Sequence, residues 1–189
     1  MNRVLWVTLL SFLSFGCSVP APHSKAQLSY GGHLFAIPAN ASVILSTGGE
    51  ENILILRYGA AKGERYLGFS DMAADRSLDL GCRPSAFFAA VFADGVDTGC
   101  NKEGIDAFQK VFVEAKDTGV WRSEKLTVYY SISDDHSFLF TFDKSGKAFK
   151  IDTDFLTKND LKDLVRGALY FMNFGFAGCN ASFKNSVTC

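Results

Sequence analysis

Residue types that perform hydrolysis lie together in one short segment, Asp134-Asp135-His136-Ser137. A serine nucleophile, a histidine base and an aspartate that orients the histidine form the triad of many hydrolases. Neighbouring side chains on a strand point to opposite faces, so these four residues cannot form that geometry among themselves. The sequence also lacks the Gly-x-Ser-x-Gly pattern of a nucleophile elbow. We therefore interpret the segment as a polar hairpin turn.

The tripeptide Asp-Thr-Gly occurs twice, at residues 97–99 and 117–119. Aspartic proteases bring the aspartates of two such tripeptides face to face, where they share one proton. Here a predicted helix separates the two copies, and the apolar segment that flanks the motif in those proteases is missing. Asp, Thr and Gly are favoured in loops and at helix ends. We interpret both copies as loop residues.

No metal site and no cofactor site is predicted. The three histidines, His23, His33 and His136, do not pair at the spacing of metal ligands. Residues 152–163 resemble a calcium loop only loosely, since the position of the required glycine is occupied by Thr157. The sequence therefore favours a protein without catalytic residues.

Composition favours one globular domain that does not bind nucleic acid. The 189 residues carry a formal net charge of −1, and loss of Arg3 with a leader would change it only to −2. Such a chain has no strong field to attract nucleic acid or anionic lipid. Hydrophobic residues make up 48% of the chain, which excludes disorder for most of its length.

The N-terminus carries an export pattern that ends in a cysteine. Arg3 is followed by an apolar run at residues 4–13, which is shorter than the roughly 20 residues needed to span a bilayer. Gly16 directly precedes Cys17. This segment resembles the lipobox of bacterial lipoproteins, and the resemblance implies that Cys17 is acylated, for instance with palmitate, and becomes the mature N-terminus. It also implies sorting to the outer membrane, because Ser18 occupies the position of the aspartate that retains lipoproteins in the inner membrane.

These features predict three regions of the chain. Residues 1–16 form the signal peptide, residues 17–27 form the lipidated N-terminus and a proline-containing tether, and residues 28–189 form a single domain. An alternative is ordinary secretory cleavage after Ala26, because Ser24-Lys25-Ala26 has the small-x-small pattern of such sites.

Four further cysteines support an oxidising compartment: Cys82, Cys100, Cys179 and Cys189. An even number of cysteines in an exported chain indicates disulfides, and four cysteines allow three pairings. Short loops close at the lowest entropic cost, which favours Cys82–Cys100 and Cys179–Cys189.

Hydrophobic periodicity predicts an α+β fold with antiparallel sheet. Six strands are expected as an N-terminal and a C-terminal three-stranded meander, at residues 43–47, 52–58, 65–69, 126–132, 138–142 and 149–151. Three helices are expected at residues 84–94, 102–116 and 157–172. The last begins with Thr157-Lys158-Asn159-Asp160, which resembles a capping box.

The C-terminal meander carries the predicted partner-binding face. We assign its phenylalanines to a buried face and the following residues to the opposite face: Thr127, Tyr129, Ser131, Leu139, Thr141 and Lys150. Tyr129 and Leu139 are the candidate anchors for a protein partner. An alternative is that the N-terminal strands cover this face. The apolar segment at residues 169–176 predicts a docked C-terminal helix or, alternatively, a patch that faces a partner or lipid.

The sequence thus favours a lipoprotein, lipid-anchored in the bacterial outer membrane and facing the periplasm, that binds a protein and is not an enzyme. An inhibitor or an immunity protein against a toxin delivered to the periplasm fits this description. The alternatives are a small periplasmic hydrolase and an accessory subunit of an envelope assembly.

Overall fold

A computed structural model describes residues 24–47, 52–59, 64–72, 80–92 and 99–169. The strands are β1 (Lys25–Tyr30), β2 (His33–Pro38), β3 (Val43–Ser46), β4 (Leu54–Arg57), β5 (Tyr66–Asp71), β6 (Asp117–Arg122), β7 (Leu126–Ile132), β8 (Ser137–Asp143) and β9 (Ala148–Thr153). The helices are α1 (Pro84–Phe92), α2 (Lys102–Phe112) and α3 (Lys158–Leu169).

The described strands form a two-stranded hairpin, β1–β2, and one seven-stranded antiparallel sheet in the order β3-β4-β5-β9-β8-β7-β6. The predicted α+β fold with antiparallel sheets and three helices is confirmed. The two expected meanders are not separate units, because β5 pairs with β9 and joins them into one sheet. The sheet also contains β6, which the sequence analysis did not predict. That strand was missed because its Asp-Thr-Gly start indicated a loop.

The β1–β2 hairpin and α3 cover one face of the sheet. Phe35 of β2 packs against Phe69 of β5 and Phe149 of β9, with ring centroids 5.3 and 5.7 Å away. All three rings are buried. Leu161 and Val165 of α3 join the same core. Burial of large apolar side chains at the junction of three elements is the dominant favourable term in such a fold.

Helices α1 and α2 cover the other face, over the C-terminal strands. Phe88 of α1 lies 4.5 Å, between ring centroids, from Phe140 of β8. A disulfide between Cys82 and Cys100 holds the segments that flank α1, with 4.8 Å between their Cα atoms. This pairing confirms the prediction for these two cysteines. Cys179 and Cys189 lie outside the described residues.

Local signals set the helix ends. The amide of Asp160 donates to Thr157 Oγ1 at 3.3 Å and the amide of Thr157 donates to Asp160 Oδ2 at 3.1 Å. This reciprocal pair is the expected capping box of α3. Helix α2 ends at Phe112, before its expected end at residue 116, because Ala115 adopts a positive φ of 56° and the chain then enters β6.

The domain begins earlier than the sequence indicated. Strand β1 starts at Lys25, within the residues 17–27 assigned to the tether, and pairs with β2 from Lys25 onward. Ala26 packs against the core. The tether assignment is therefore wrong for its last three residues, and the boundary expected at residue 28 lies inside β1. The sequence did not indicate a strand here because Lys25 and Gln27, which occupy the exposed face of β1, are polar and resemble tether residues.

The predicted partner-binding face is wrong. Four residues, 133–136, connect β7 to β8. Because this number is even, each odd-numbered residue of one strand lies opposite an even-numbered residue of the other. Tyr129 therefore lies opposite Phe140 and Leu139 lies opposite Tyr130, on different faces of the sheet. Tyr129 packs under α1, Leu139 packs in the core below β1–β2 and α3, and both are buried. Register decides which face a side chain reaches, and a shift of one residue reverses it.

The tripeptide at residues 117–119 has a structural role. Asp117 bonds Lys158 of α3 at 2.9 Å. A Cβ at Gly119 would lie 2.5 Å from the Tyr130 hydroxyl oxygen, so glycine leaves room for that ring on the neighbouring strand. The Tyr130 ring stacks on Trp121 at 4.5 Å. These contacts position an edge strand; Asp97 of the other copy lies outside the described residues.

We expect Tyr129→Ala to destabilise the fold by about 3–5 kcal/mol, because it removes a buried ring that stacks on Phe92. Val111→Ala is the matched control, since Val111 is exposed on α2 and should change stability by less than about 0.5 kcal/mol. Urea unfolding of both variants measures the difference. A loss below about 1 kcal/mol for Tyr129→Ala would show that this ring is not core.

Candidate functional site

The sheet ends in a short apolar edge strand that is exposed along its whole length. Val43, Ile44 and Leu45 of β3 are 45%, 65% and 51% exposed. Large apolar side chains at the end of a sheet are unfavourable in water, and natural proteins usually protect such an edge with charges, proline or a covering element. Strand β3 carries no charged residue. It is therefore a surface suited to contact with another chain.

The backbone of β3 is available as well as its side chains. The amide of Thr47 donates to the carbonyl oxygen of Ile53 at 2.9 Å, next to β4. Bonded and non-bonded pairs alternate along an antiparallel ladder. By this alternation the N–H and C=O groups of Leu45 also face β4, whereas those of Ile44 and Ser46 face away from it.

The opposite edge of the sheet is protected. Strand β6 carries Asp117 and Arg122 at its ends, and Lys158 bridges to Asp117. Helix α1 contacts β6, and Val120 packs in the core below α1 and α2. The two edges of the seven-stranded sheet therefore differ: of its two edge strands, β3 alone combines exposed apolar side chains with backbone groups that no described helix contacts.

A broad face of the sheet adjoins the β3 edge. Leu45, Ile55 and Gly68 follow one another across β3, β4 and β5 on this face, and Asp152 follows on β9. Among the described residues, the core below α1 and α2 includes none from β3, β4 or β5. We call this surface, centred on Ile55, Gly68 and Asp152, the open face because the core below α1 and α2 does not extend over it; Gly68 is buried there, and Ile55 and Asp152 are half-buried.

A hydrogen-bonded network of three side chains lies on the open face. The Tyr66 hydroxyl contacts His136 Nε2 at 2.6 Å and donates to Asp152 Oδ2 at 3.2 Å. A Cβ at Gly68 would lie 2.5 Å from Asp152 Oδ1, so glycine makes space for this carboxylate above the sheet. The amide of Tyr66 also donates to Asp154 Oδ1 at 2.7 Å. The network fixes the orientation of the Tyr66 ring beside the edge.

The environment of Tyr66 keeps its hydroxyl protonated. Burial raises the pKa of Tyr66, and the nearby carboxylates of Asp152 and Asp154 raise it further. A phenol with a raised pKa is a hydrogen-bond donor at neutral pH and a poor nucleophile. The described residues contain no group of three or more side chains suited to holding a metal ion. The network can thus donate and accept hydrogen bonds to a bound chain.

None of the described residues that were assigned to a site from the sequence belongs to this surface. The sequence identified Cys82 and Cys100, which the structure brings together, whereas Tyr129 and Leu139 point to opposite faces. Cys17 lies outside the described residues, as do residues 170–176 of the C-terminal apolar segment. His136 was placed correctly at the β7–β8 turn, but its contact with Tyr66, 70 residues earlier, has no signal in local spacing.

Comparison with known proteins adds no assignment. No family model, curated protein or solved structure matches this chain. Within the part of the chain that the structure describes, no helix has the length and apolar character needed to cross a bilayer. Function is therefore inferred from the chain's own residues and geometry.

Ionisation of Tyr66 should weaken the fold at alkaline pH. A pKa raised in the folded state gives stability that is fully present below the usual value of 10 and is lost as pH rises toward the folded value. Burial likewise raises the pKa of Tyr30 and of Tyr58 to about 12. Urea unfolding from neutral pH to about pH 11 should show a falling free energy of unfolding, with a smaller fall in Tyr66→Phe.

Asp152→Asn is the companion variant in this titration, since it keeps the phenol and removes a carboxylate that raises its pKa. The free energy of unfolding that Asp152→Asn loses between neutral and alkaline pH should lie between the losses of the wild type and of Tyr66→Phe. If the free energy of unfolding depends on pH identically in the wild type, Tyr66→Phe and Asp152→Asn, the contact of Tyr66 with Asp152 does not raise its pKa, which would contradict the network.

Proposed function

We propose that this chain is a lipoprotein anchored through Cys17 in the bacterial outer membrane, facing the periplasm, whose domain is a non-enzymatic protein-binding module. The partner docks by adding an extended segment to β3 and by covering the open face. The observation that carries this proposal is the exposed strand Val43–Ser46, which combines apolar side chains with outward-facing backbone groups.

The boundaries of the domain support the anchor at Cys17. Cleavage after Ala26 would remove the start of β1, including Lys25, which bonds Asp163 of α3 at 2.9 Å. Cleavage before Cys17 leaves this strand intact. The Cys82–Cys100 disulfide is also suited to an oxidising compartment such as the periplasm.

The chemistry of the surface supports a protein as partner. Addition of a strand to a sheet edge gives affinity through main-chain hydrogen bonds, and side-chain contacts give specificity. Arg57 and Tyr66 lie opposite each other on β4 and β5, next to the edge. Arginine and tyrosine are among the residue types that dominate protein interfaces. An inhibitor or an immunity protein, which must hold another protein without reacting with it, needs a surface of this kind.

The anchor is tested by Cys17→Ser. We expect this variant to lose acyl labelling, because the acceptor thiol is removed. When residues 1–17 are replaced by a leader that the general secretory route cleaves, the chain should appear in the soluble periplasmic fraction. Acylation that persists in Cys17→Ser, or membrane association that persists after leader replacement, would contradict the lipoprotein assignment.

The docking edge is tested by Ile44→Pro. Proline removes an N–H group that faces away from β4, so the fold should keep its hydrogen bonds and its stability within about 0.5 kcal/mol. A photo-crosslinking residue at position 46 should capture a protein partner in cells. Ile44→Pro should lower that yield about tenfold, which is the effect of about 1.4 kcal/mol.

The matched control is a photo-crosslinking residue at position 111, because Val111 is exposed to a similar degree on α2. It should capture no such partner. Equal capture from both positions, capture of only a second copy of this chain, or turnover of peptidoglycan by the purified protein would each contradict the proposed function.

A further inference from the structure

A second site lies on the side of the sheet that carries the hairpin and α3. A cavity of about 460 Å³ opens between β2, the start of α3 and the ends of β4 and β5. Small-molecule sites in proteins typically occupy clefts of roughly 300–1,000 Å³, apolar with a few polar groups. This cavity opens on the side of the sheet opposite the open face, and its residues are not among those proposed to dock a protein.

The walls of the cavity are mainly apolar. Ala36 and Pro38 of β2 form one side, and Phe155 and Leu164 form the other. The Phe155 ring packs on the Tyr58 ring, with 5.2 Å between their centroids. Such walls favour the hydrocarbon part of a ligand.

One charged side chain at the cavity has no partner among the described residues. Lys25 is bonded to Asp163, and Asp160 accepts hydrogen bonds from Thr157. Arg65 lines the same cavity and makes no salt bridge or side-chain hydrogen bond within the described part of the chain. Arg65 therefore supplies an unpaired positive charge at the cavity, and Asp160, whose hydrogen-bond donors are neutral, keeps its negative charge at the start of α3.

A buried donor lies beside this arginine. The amide of Tyr58 donates to the carbonyl oxygen of Arg65 at 2.9 Å, so the two residues are neighbours across β4 and β5. The Tyr58 hydroxyl is buried and has no hydrogen-bond partner among the described residues. A buried polar group without a partner is unfavourable, and an acceptor oxygen in the cavity would satisfy it once the Tyr58 side chain shifts enough to expose the hydroxyl.

The backbone at the cavity is also unusual. Asn40 and Arg65 adopt positive φ angles of 71° and 39°. Asparagine adopts such angles readily, whereas they are uncommon for arginine, and strained residues of this kind cluster at functional sites. Both residues line this one cavity.

We propose that this cavity binds an amphipathic carboxylate of the size of a medium-chain fatty acid. The carboxylate pairs with the Arg65 guanidinium and accepts a hydrogen bond from the Tyr58 hydroxyl. The hydrocarbon chain packs between Pro38, Phe155 and Leu164. This site is independent of the β3 edge, so either proposal can fail without the other.

The test uses the whole mature chain, exported with a cleavable secretory leader so that it carries no acyl group. Calorimetric titration with decanoate should give one saturable site per chain, and the uncharged analogue decanol should bind more weakly. Arg65→Gln should weaken decanoate binding about tenfold, the effect expected for loss of a charge-assisted hydrogen bond. It should leave decanol binding unchanged.

Lys25→Gln is the matched control, because Lys25 is a second cation at the cavity but is already bonded to Asp163. It should change decanoate affinity less than about twofold.

Tyr58→Phe should weaken decanoate binding while leaving the fold intact, since it removes a buried hydroxyl that has no described partner. Three results would overturn the proposal: no saturation by decanoate, equal effects of Arg65→Gln and Lys25→Gln, or decanol binding as tight as decanoate binding.

Discussion

The packing of Phe35 on Phe69 and Phe149 is the interaction on which the rest of the structure depends. Phe69 belongs to the N-terminal strands, Phe149 to the C-terminal strands and Phe35 to the β1–β2 hairpin. One cluster of rings therefore joins three parts of the chain that are distant in sequence. It also stabilises the pairing of β5 with β9, without which the seven strands would form one three-stranded and one four-stranded sheet.

The position of this cluster explains why the sheet has a covered and an uncovered part. The hairpin and α3 bury one face around the three phenylalanines, and the disulfide-linked α1 segment with α2 buries the other face above β6–β9. The outermost strand, β3, lies beyond both layers. Strand β3 pairs with β4. The segment that leads into β4 is held by a hydrogen bond that the Tyr30 hydroxyl donates to the carbonyl oxygen of Asn52. The apolar edge is thus a preformed strand paired with β4, and preorganisation of this kind lowers the entropic cost of binding.

Local patterns in the sequence predicted all three helices and six of the nine described strands, but not β1, β2 and β6, and they did not predict the arrangement of the elements. The alternation at residues 126–132, the proline at residue 84 and the Thr157–Asp160 cap each predicted a strand, a helix start or a helix cap that the structure contains. The faces of Tyr129 and Leu139 depended on the length of one turn, which alternation alone does not encode.

Contacts between distant residues were beyond the reach of local patterns. The pairing of β5 with β9 and the contact of Tyr66 with His136 join residues more than 60 positions apart. The exposure of β3 could not be foreseen either, because Val-Ile-Leu in a strand usually indicates burial.

The central claim is that the β3 edge is free in the isolated protein and available to another chain. Residue-resolved amide hydrogen exchange of the whole mature chain tests it most directly. The account predicts slow exchange at Leu45 and Thr47, whose amides face β4, and fast exchange at Ile44 and Ser46, whose amides face away. Equal protection of all four amides would mean that another segment already pairs with this edge, and it would contradict the account.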